Sequence, residues 1–279
     1  MKIIESKKIT ILVKEMCIKA AHELGKDILL ALKKNYQQEK GLAKHLTALM
    51  LENAKIAKKE LYPLCQDTGT AVLFVEIGTE VFVKGNLTKA LTEGVRQGYK
   101  DGYLRKSIVK DPLFKRLNTK DNTPPVIHYS FKEGDKIKIS LLLKGAGSEN
   151  KSVLKMFAPS TSLQEIKDFV LTCIKQAGAS ACPPFIVGIG IGGNFEDCAL
   201  LAKKALLRKI NSLNKNKPYS ALEKDLLKEI NKTKIGPQGL GGKITALAVF
   251  IEQAPCHTAS LPVAINISCH CSRHITEVL

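Results

Sequence analysis

Apolar residues recur at intervals of three and four from Ile9 to Glu60, through ILVKEMCIKAAHELGKDILLALKK and LAKHLTALMLENAKIAKKE. That period predicts a helical N-terminal layer, closed at Tyr62-Pro63. The pattern then changes. LCQDTGTAVLFVEIG reads as a loop running into a strand rich in Val, Ile and Phe. A helix is expected from Asn86 to Leu104, with Asn86 as its cap. TPPVIHYSF and DKIKISLLLKG read as strands, the second leading into the loop KGAGSENKS. Thr161 to Gln176 is a further helix, opened by a capping box between Ser162 and Glu165. ACPPFIVGIGIGG reads as a turn, a buried strand and a glycine loop, followed by a helix over Phe195 to Lys209. A lysine-rich linker over Asn211 to Lys217 precedes a helix over Ala221 to Asn231. After IGPQGLGGK come two apolar strands, ITALAVFIE and LPVAINIS. No internal repeat or low-complexity tract interrupts the chain. The sum predicts an α+β (mixed α/β) fold in one domain over residues 1–279, with a helical N-terminal layer followed by mixed strands and helices.

Composition narrows the function classes. Of 279 residues 44% are hydrophobic, enough for a sizeable core. The net charge of +17 invites a nucleic-acid reading, but only five of the 43 basic residues are arginines and there is no tryptophan. Base and phosphate readers favour the arginine fork and aromatic stacking. The lysines are scattered, so a solvated lysine surface is the better account, and no nucleic-acid partner is expected. The start, MKIIESKKIT, lacks the apolar run of a secretory signal, and no stretch reaches the length of a membrane span. Eight cysteines are too sparse and irregular for a disulfide scaffold. A reducing cytoplasm is the expected location, with thiolates available to metal.

Two glycine motifs fail as nucleotide sites. Gly188, Gly190 and Gly193 fit G-x-G-x-x-G, yet no acid follows at the ribose position, where the chain reads KINSLNKNK. Close packing of a helix on a strand is the better reading. GPQGLGGKIT has Pro237 where a P-loop needs glycine, and Ile244 where it needs Ser or Thr. The glycine-rich loops at 145–147, 188–193 and 239–242 still expose N–H groups able to hold a carboxylate.

Cys65, Cys182 and Cys269 sit in loops or at a strand end, whereas Cys17, Cys173 and Cys198 fall inside helical patterns as packing residues. The spacing of the first three is far wider than the local C-x-x-C of zinc sites and ferredoxins. Cys269, Cys271, His257 and His270 would offer a local zinc set as an alternative. Cys182-Pro183 resembles the Cys-Pro end of a ferredoxin run, and Cys65 is followed by the polar pair Gln66-Asp67.

Taken in order, PLCQDTGTAVLFVEIG, NTPPVIHY, KGAGSENKS, ACPPFIVGIGIGGNFEDCALLAKKALLR, IGPQGLGGK and APCHTASLPVAINISCHCSRH resemble the alpha region of the class I fumarase and tartrate dehydratase family over nearly the whole chain. The resemblance implies a hydro-lyase that adds or removes water at a small dicarboxylate, fumarate/malate or alternatively tartrate. It implies a [4Fe-4S] cluster on Cys65, Cys182 and Cys269, the family often having a small residue in place of Cys271. Three thiolates on four irons leave one iron without a protein ligand, open for Lewis-acid chemistry. Asp67 and His257 would be the catalytic pair. Gln66, Arg105, Gly147, Asn150 and Lys151 would bind substrate. The family supplies further arginines, a lysine and a threonine from a beta region, so a beta subunit is the expected partner. A cluster- or zinc-binding regulatory protein without catalysis is the competing class, and Gln66, Asp67 and Arg105 argue against it.

Overall fold

The computed structural model describes residues 2–279 and has the expected mixed α+β architecture. Its contacts divide the chain into two compact units. The first comprises Met1–Gly25, Asn53–Ala146 and Arg273–Leu279; the second comprises Lys26–Glu52 and Gly147–Ser272. Among the described residues, no helix is long and apolar enough to cross a membrane.

In the first unit, strand β1 (Lys2–Glu5) leads into helix α1 (Ser6–His22), and after the crossing helices come β2 (Thr70–Gly78), β3 (Val81–Lys84) and α4 (Leu87–Asp101). The strands β4 (Val126–Lys132), β5 (Ile137–Lys144) and β10 (Arg273–Val278) complete a four-stranded sheet in the order β10-β5-β2-β4. β2 pairs antiparallel with β5 and parallel with β4. Ala71, Leu73 and Val75 alternate along β2 and face the core with Ile137, Ile139 and Leu141 of β5, the period of two that a half-buried sheet imposes. Helices α1 and α4 cover that face through Ile9, Val13, Met16, Leu91, Val95 and Tyr99. They approach closely because Gly94 and Gly98 lie one turn apart. A Cβ on Gly94 would fall 2.7 Å from Val13 Cβ, and one on Gly98 2.6 Å from Cys17 Cβ. Asn86 caps α4 by accepting the Lys89 N–H, as expected.

The second unit holds α2 (Lys26–Gln38), the first part of α3 (Gly41–Glu60), the single turn α5 (Ala146–Glu149) from Gly147 on, β6 (Val153–Phe157) and α6 (Leu163–Ala177). It continues with β7 (Phe185–Gly193), α7 (Phe195–Ala205), α8 (Lys217–Lys232), β8 (Ala246–Cys256) and β9 (Leu261–Ser268). The sheet order is β6-β9-β7-β8. The Ser162–Glu165 capping box is formed. Helix α7 is shorter than expected, and α8 begins earlier, with Pro218 in its first turn. The supposed glycine loop at 188–193 is strand. Along β7 the odd positions Val187, Ile189 and Ile191 face a core with Val170, Ile174, Leu226 and Ile230 of α6 and α8. The even positions Gly188 and Gly190 lie under α7: a Cβ on Gly188 would meet Ala202 O at 2.2 Å, and one on Gly190 would meet Cys198 O at 2.1 Å. The glycines are therefore the packing surface of a helix on a strand.

Candidate active site

In the first unit the chain between α3 and β2 carries Cys65, Gln66 and Asp67. The segment is fixed on both sides. Leu64 N–H donates to Ala21 O at 2.8 Å, and the Asn53 amide donates to Leu64 O at 2.9 Å. Tyr99, fully buried, directs its hydroxyl at Thr68 O (2.9 Å) and Gly69 O (2.8 Å), and that burial pushes the phenol well above its ordinary range. Gly69 has φ +78°, and a Cβ there would lie 2.6 Å from the Lys144 carbonyl. Within this frame Asp67 accepts the Gly69 N–H at 3.1 Å on one oxygen and the Ala146 N–H at 2.6 Å on the other. Each oxygen keeps a lone pair for a further donor. Cys65 and Asp67 are half-buried and Gln66 is exposed.

Arg105 is exposed, and its backbone is tied to the same segment because Thr68 Oγ1 donates to Arg105 O at 2.8 Å. Arg273 was absent from the expected site. It opens β10 opposite Leu143 of β5. A Cβ on Gly145 would lie 3.3 Å from Arg273 Nη2 and 3.1 Å from Asp67 Oδ2, so arginine and carboxylate flank one glycine. Arg273 is 2% exposed, and its Nε and Nη1 have no hydrogen-bond partner among the described residues. The available signals were its scarcity, one of five arginines, and its place four residues after Cys269.

The second unit carries Cys182, Cys269 and His257. Cys182 follows a 3-10 turn (Gly178–Ala181) in a left-handed conformation, φ 52°, and its side chain is exposed. This conformation is uncommon for a residue with a Cβ, and the surroundings brace it. The His270 N–H donates to Cys182 O at 3.3 Å, and His270 Nδ1 lies 3.1 Å from the same oxygen. Gln238 N–H donates to Pro183 O at 2.9 Å, and a Cβ on Gly239 would lie 2.5 Å from Ala179 Cβ. The glycine-rich loop does hold a carboxylate, but one of the chain's own: Glu39 accepts the N–H groups of Lys243 and Ile244 at 2.8 Å. Cys269 lies one residue past β9 and is half-buried, while Cys271 is buried.

His257 is exposed in the turn between β8 and β9. Its Nδ1 accepts the Ala259 N–H at 3.1 Å. The neutral ring therefore carries its proton on Nε2 and presents a donor. Gly147, Asn150 and Lys151 lie on one turn. It is fixed by Glu149, which pairs with Lys203 and accepts from the Asn266 amide at 3.0 Å. Gly147 sits close to the turn before Cys182: a Cβ there would be 3.3 Å from Ser180 O. Asn150 is exposed and Lys151 half-buried.

The chain matches the family model described as Fumarate hydratase (Fumerase) over residues 10–278. The chain belongs to the fumarate hydratase family. It is 44% identical to the putative L(+)-tartrate dehydratase subunit alpha of Methanocaldococcus jannaschii, over 95% of each chain. It is 33% identical to the L(+)-tartrate dehydratase subunit alpha of Escherichia coli, over 81% of this chain and 76% of that one.

Six of the eight cysteines of this family member fall into two sets. Cys17, Cys173 and Cys198 are buried packing residues as expected, and burial pushes the thiols of Cys173 and Cys198 up to about 11 and that of Cys17 higher still. Thiols held so far from the thiolate form are poor metal ligands. Cys65, Cys182 and Cys269 are all at least partly accessible and lie in loops, which suits ligands to an inorganic cluster. Among the described residues, no three His, Cys, Asp or Glu side chains are grouped to hold a metal ion.

Proposed function

We propose that this chain is the alpha subunit of a hydro-lyase that moves water on and off a small dicarboxylate, with Cys65, Cys182 and Cys269 holding a [4Fe-4S] cluster. The observation that carries the reading is Asp67, one residue from Gln66 and two from Cys65, its carboxylate aimed by two backbone N–H groups. When bound, the cluster supplies an iron without a protein ligand, a Lewis acid for a hydroxyl and a carboxylate. The remaining chemistry belongs to side chains. Arg105, exposed and anchored through its own carbonyl, pairs with a substrate carboxylate. Gln66 hydrogen-bonds the substrate. Asp67 exchanges a proton with it through its remaining lone pairs. His257 donates from Nε2, an orienting role and not that of a base. Gly147, Asn150 and Lys151 bind substrate from a rigid turn.

Fumarate and (S)-malate are the first substrate pair. L-tartrate is the second reading, favoured by the relatives' being L(+)-tartrate dehydratase alpha subunits. A companion beta subunit supplies the second cationic clamp, and the assembled enzyme works in the reducing cytoplasm.

The test is anaerobic reconstitution with iron and sulfide, read by visible absorbance. Cys65→Ser, Cys182→Ser and Cys269→Ser should each abolish the broad brown absorbance, whereas Cys17→Ser and Cys198→Ser should retain it. Loss with Cys271→Ser but not with Cys269→Ser would refute the ligand assignment. Assay of the assembled enzyme with fumarate and with L-tartrate, before and after exposure to air, then decides substrate and cluster dependence. Full activity after prolonged aeration and chelation would rule out the open-iron reading.

A further inference from the structure

The segment that carries Arg105 goes on to do something the active-site reading does not use. Val109 and Asn118 form an antiparallel bridge. Lys110 N–H donates to Leu117 O at 2.8 Å, and Thr119 N–H to Ile108 O at 2.9 Å. The result is a short hairpin. Its tip is wound around Asp111, whose carboxylate accepts the N–H groups of Leu113 (3.1 Å), Phe114 (3.0 Å) and Lys115 (2.6 Å). Those donors hold the Asp111 carboxyl below its usual range. The base is tied down as firmly: the Asn118 amide donates to Lys106 O at 2.8 Å, and Ser107 N–H to Asn122 Oδ1 at 2.7 Å.

This bracing presents apolar side chains to solvent. Leu113 is 72% exposed, Phe114 83% and Leu117 60%, and Tyr103 at the base is 87% exposed. Scattered single apolar residues on a surface need no explanation, but a cluster on a fixed projection marks an interaction site. The charge is one-sided. From Gly102 to Lys120 there are six Lys or Arg and one Asp, and that Asp is occupied by the tip's own backbone. An apolar tip inside a cationic rim fits an apolar pocket bordered by carboxylates.

We propose that the hairpin over residues 108–119 is the surface by which this chain docks its companion subunit, and that the companion presents an apolar pocket rimmed by Asp and Glu. This rests on the two-subunit reading above. The occupant follows from position. Arg105 starts the segment, and its carbonyl is held by Thr68, three residues from Cys65. A chain that must complete this substrate site has to approach beside Arg105. The hairpin is an apolar projection there.

The experiment co-expresses the full chain with its companion subunit and measures affinity by sedimentation or titration of the purified pair. The variants are Leu113→Ser/Phe114→Ser and, as control, Leu30→Ser, an exposed leucine on α2. Unchanged circular dichroism and melting show that the variants fold. Wild type and Leu30→Ser should bind alike. The double variant should bind roughly thirtyfold more weakly or worse, the loss typical of an interface hot spot. Added salt should weaken the wild-type complex. Binding by the double variant within about twofold of wild type overturns the assignment and leaves the two-subunit reading intact. A wild-type homodimer that the double variant splits, with the companion still bound, assigns the hairpin to a second copy and also overturns it. Failure of every form to bind removes the two-subunit reading and this inference together.

Discussion

Each unit encloses one arginine, and the two are surrounded differently. In the second unit Arg208 uses all three guanidinium nitrogens. It donates to Glu223 at 2.6 Å, to Ser212 O at 3.2 Å and to Ser212 Oγ at 3.3 Å, and its guanidinium lies 4.7 Å from the centre of the Phe250 ring. Glu223 in turn accepts the Ile251 N–H at 2.8 Å, which locks α8 to β8. In the first unit Arg273 is more deeply buried, yet Nε and Nη1 meet no acceptor among the described residues. A buried guanidinium with two unpaired nitrogens is costly. It lies across Gly145 from Asp67, the carboxylate that the proposed chemistry uses. Arg208 is a structural rivet, whereas Arg273 is a buried guanidinium with two unpaired nitrogens beside the proposed site.

The largest effect should come from breaking the rivet. Arg208→Met strands a buried Glu223 carboxylate and should cost roughly 3–5 kcal/mol of stability, read as the urea midpoint. A loss under about 1 kcal/mol would show that Glu223 re-solvates and that the pair is not structural. Next comes Asp67→Asn, which swaps one acceptor oxygen for an N–H donor facing a backbone N–H. Activity of the assembled enzyme should fall by roughly a hundredfold or more, with little change in cluster absorbance. Activity within about threefold of wild type would remove Asp67 from the chemistry. Smaller still is the stability effect of Arg273→Met. With few hydrogen bonds to lose, it should stay within about 1 kcal/mol of wild type or be more stable, while turnover drops. A loss matching that of Arg208→Met would erase the distinction between the two arginines.

Much of this was legible in the sequence, for physical reasons that differ by element. The N-terminal helices declared themselves through their period, and α6 through Ser162 and Glu165, because both signals are local. Strands β1, β3, β6 and β10 were not legible. They are short and mostly half-exposed, and they exist through pairing with residues far away, as Arg273 pairs with Leu143. Strand β7 was half legible: its apolar face and the packing of a helix on its glycines were clear, but the run of strand through Gly188–Gly193 was not, because those glycines also read as a loop. The division into two units cannot be read along the chain, since each unit draws on separated segments. Cys65, Cys182 and Cys269 stood out by their neighbours. Arg273 did not, because its meaning depends on Gly145, more than a hundred residues away.

The smallest effect is an acid one, and it tests whether side-chain charge holds the Arg105 segment while backbone packing holds β7. Asp121 closes that segment. Burial raises its carboxyl, but the Arg96 guanidinium at 2.9 Å and the Thr123 N–H and hydroxyl outweigh this and hold it down to about 2. Glu93, the other acid near Arg96, shares that guanidinium. The folded value lies below the ordinary carboxylate value near 3.9. The stabilisation is therefore complete above about pH 4 and fades as the pH falls toward 2. Amide exchange over residues 105–123 should then quicken across that window, once the intrinsic pH dependence of exchange is divided out. Amides of Ile186 to Ile191 lie in the ladders with β8 and β9, and the contacts of Gly188 and Gly190 with α7 include no carboxylate, so they should keep their protection until the whole unit unfolds. Arg96→Gln should bring the faster exchange of residues 105–123 to neutral pH, because it removes the same contact without acid. If both regions lose protection together at every pH, the Arg105 segment is held by the general stability of the fold and not by Asp121.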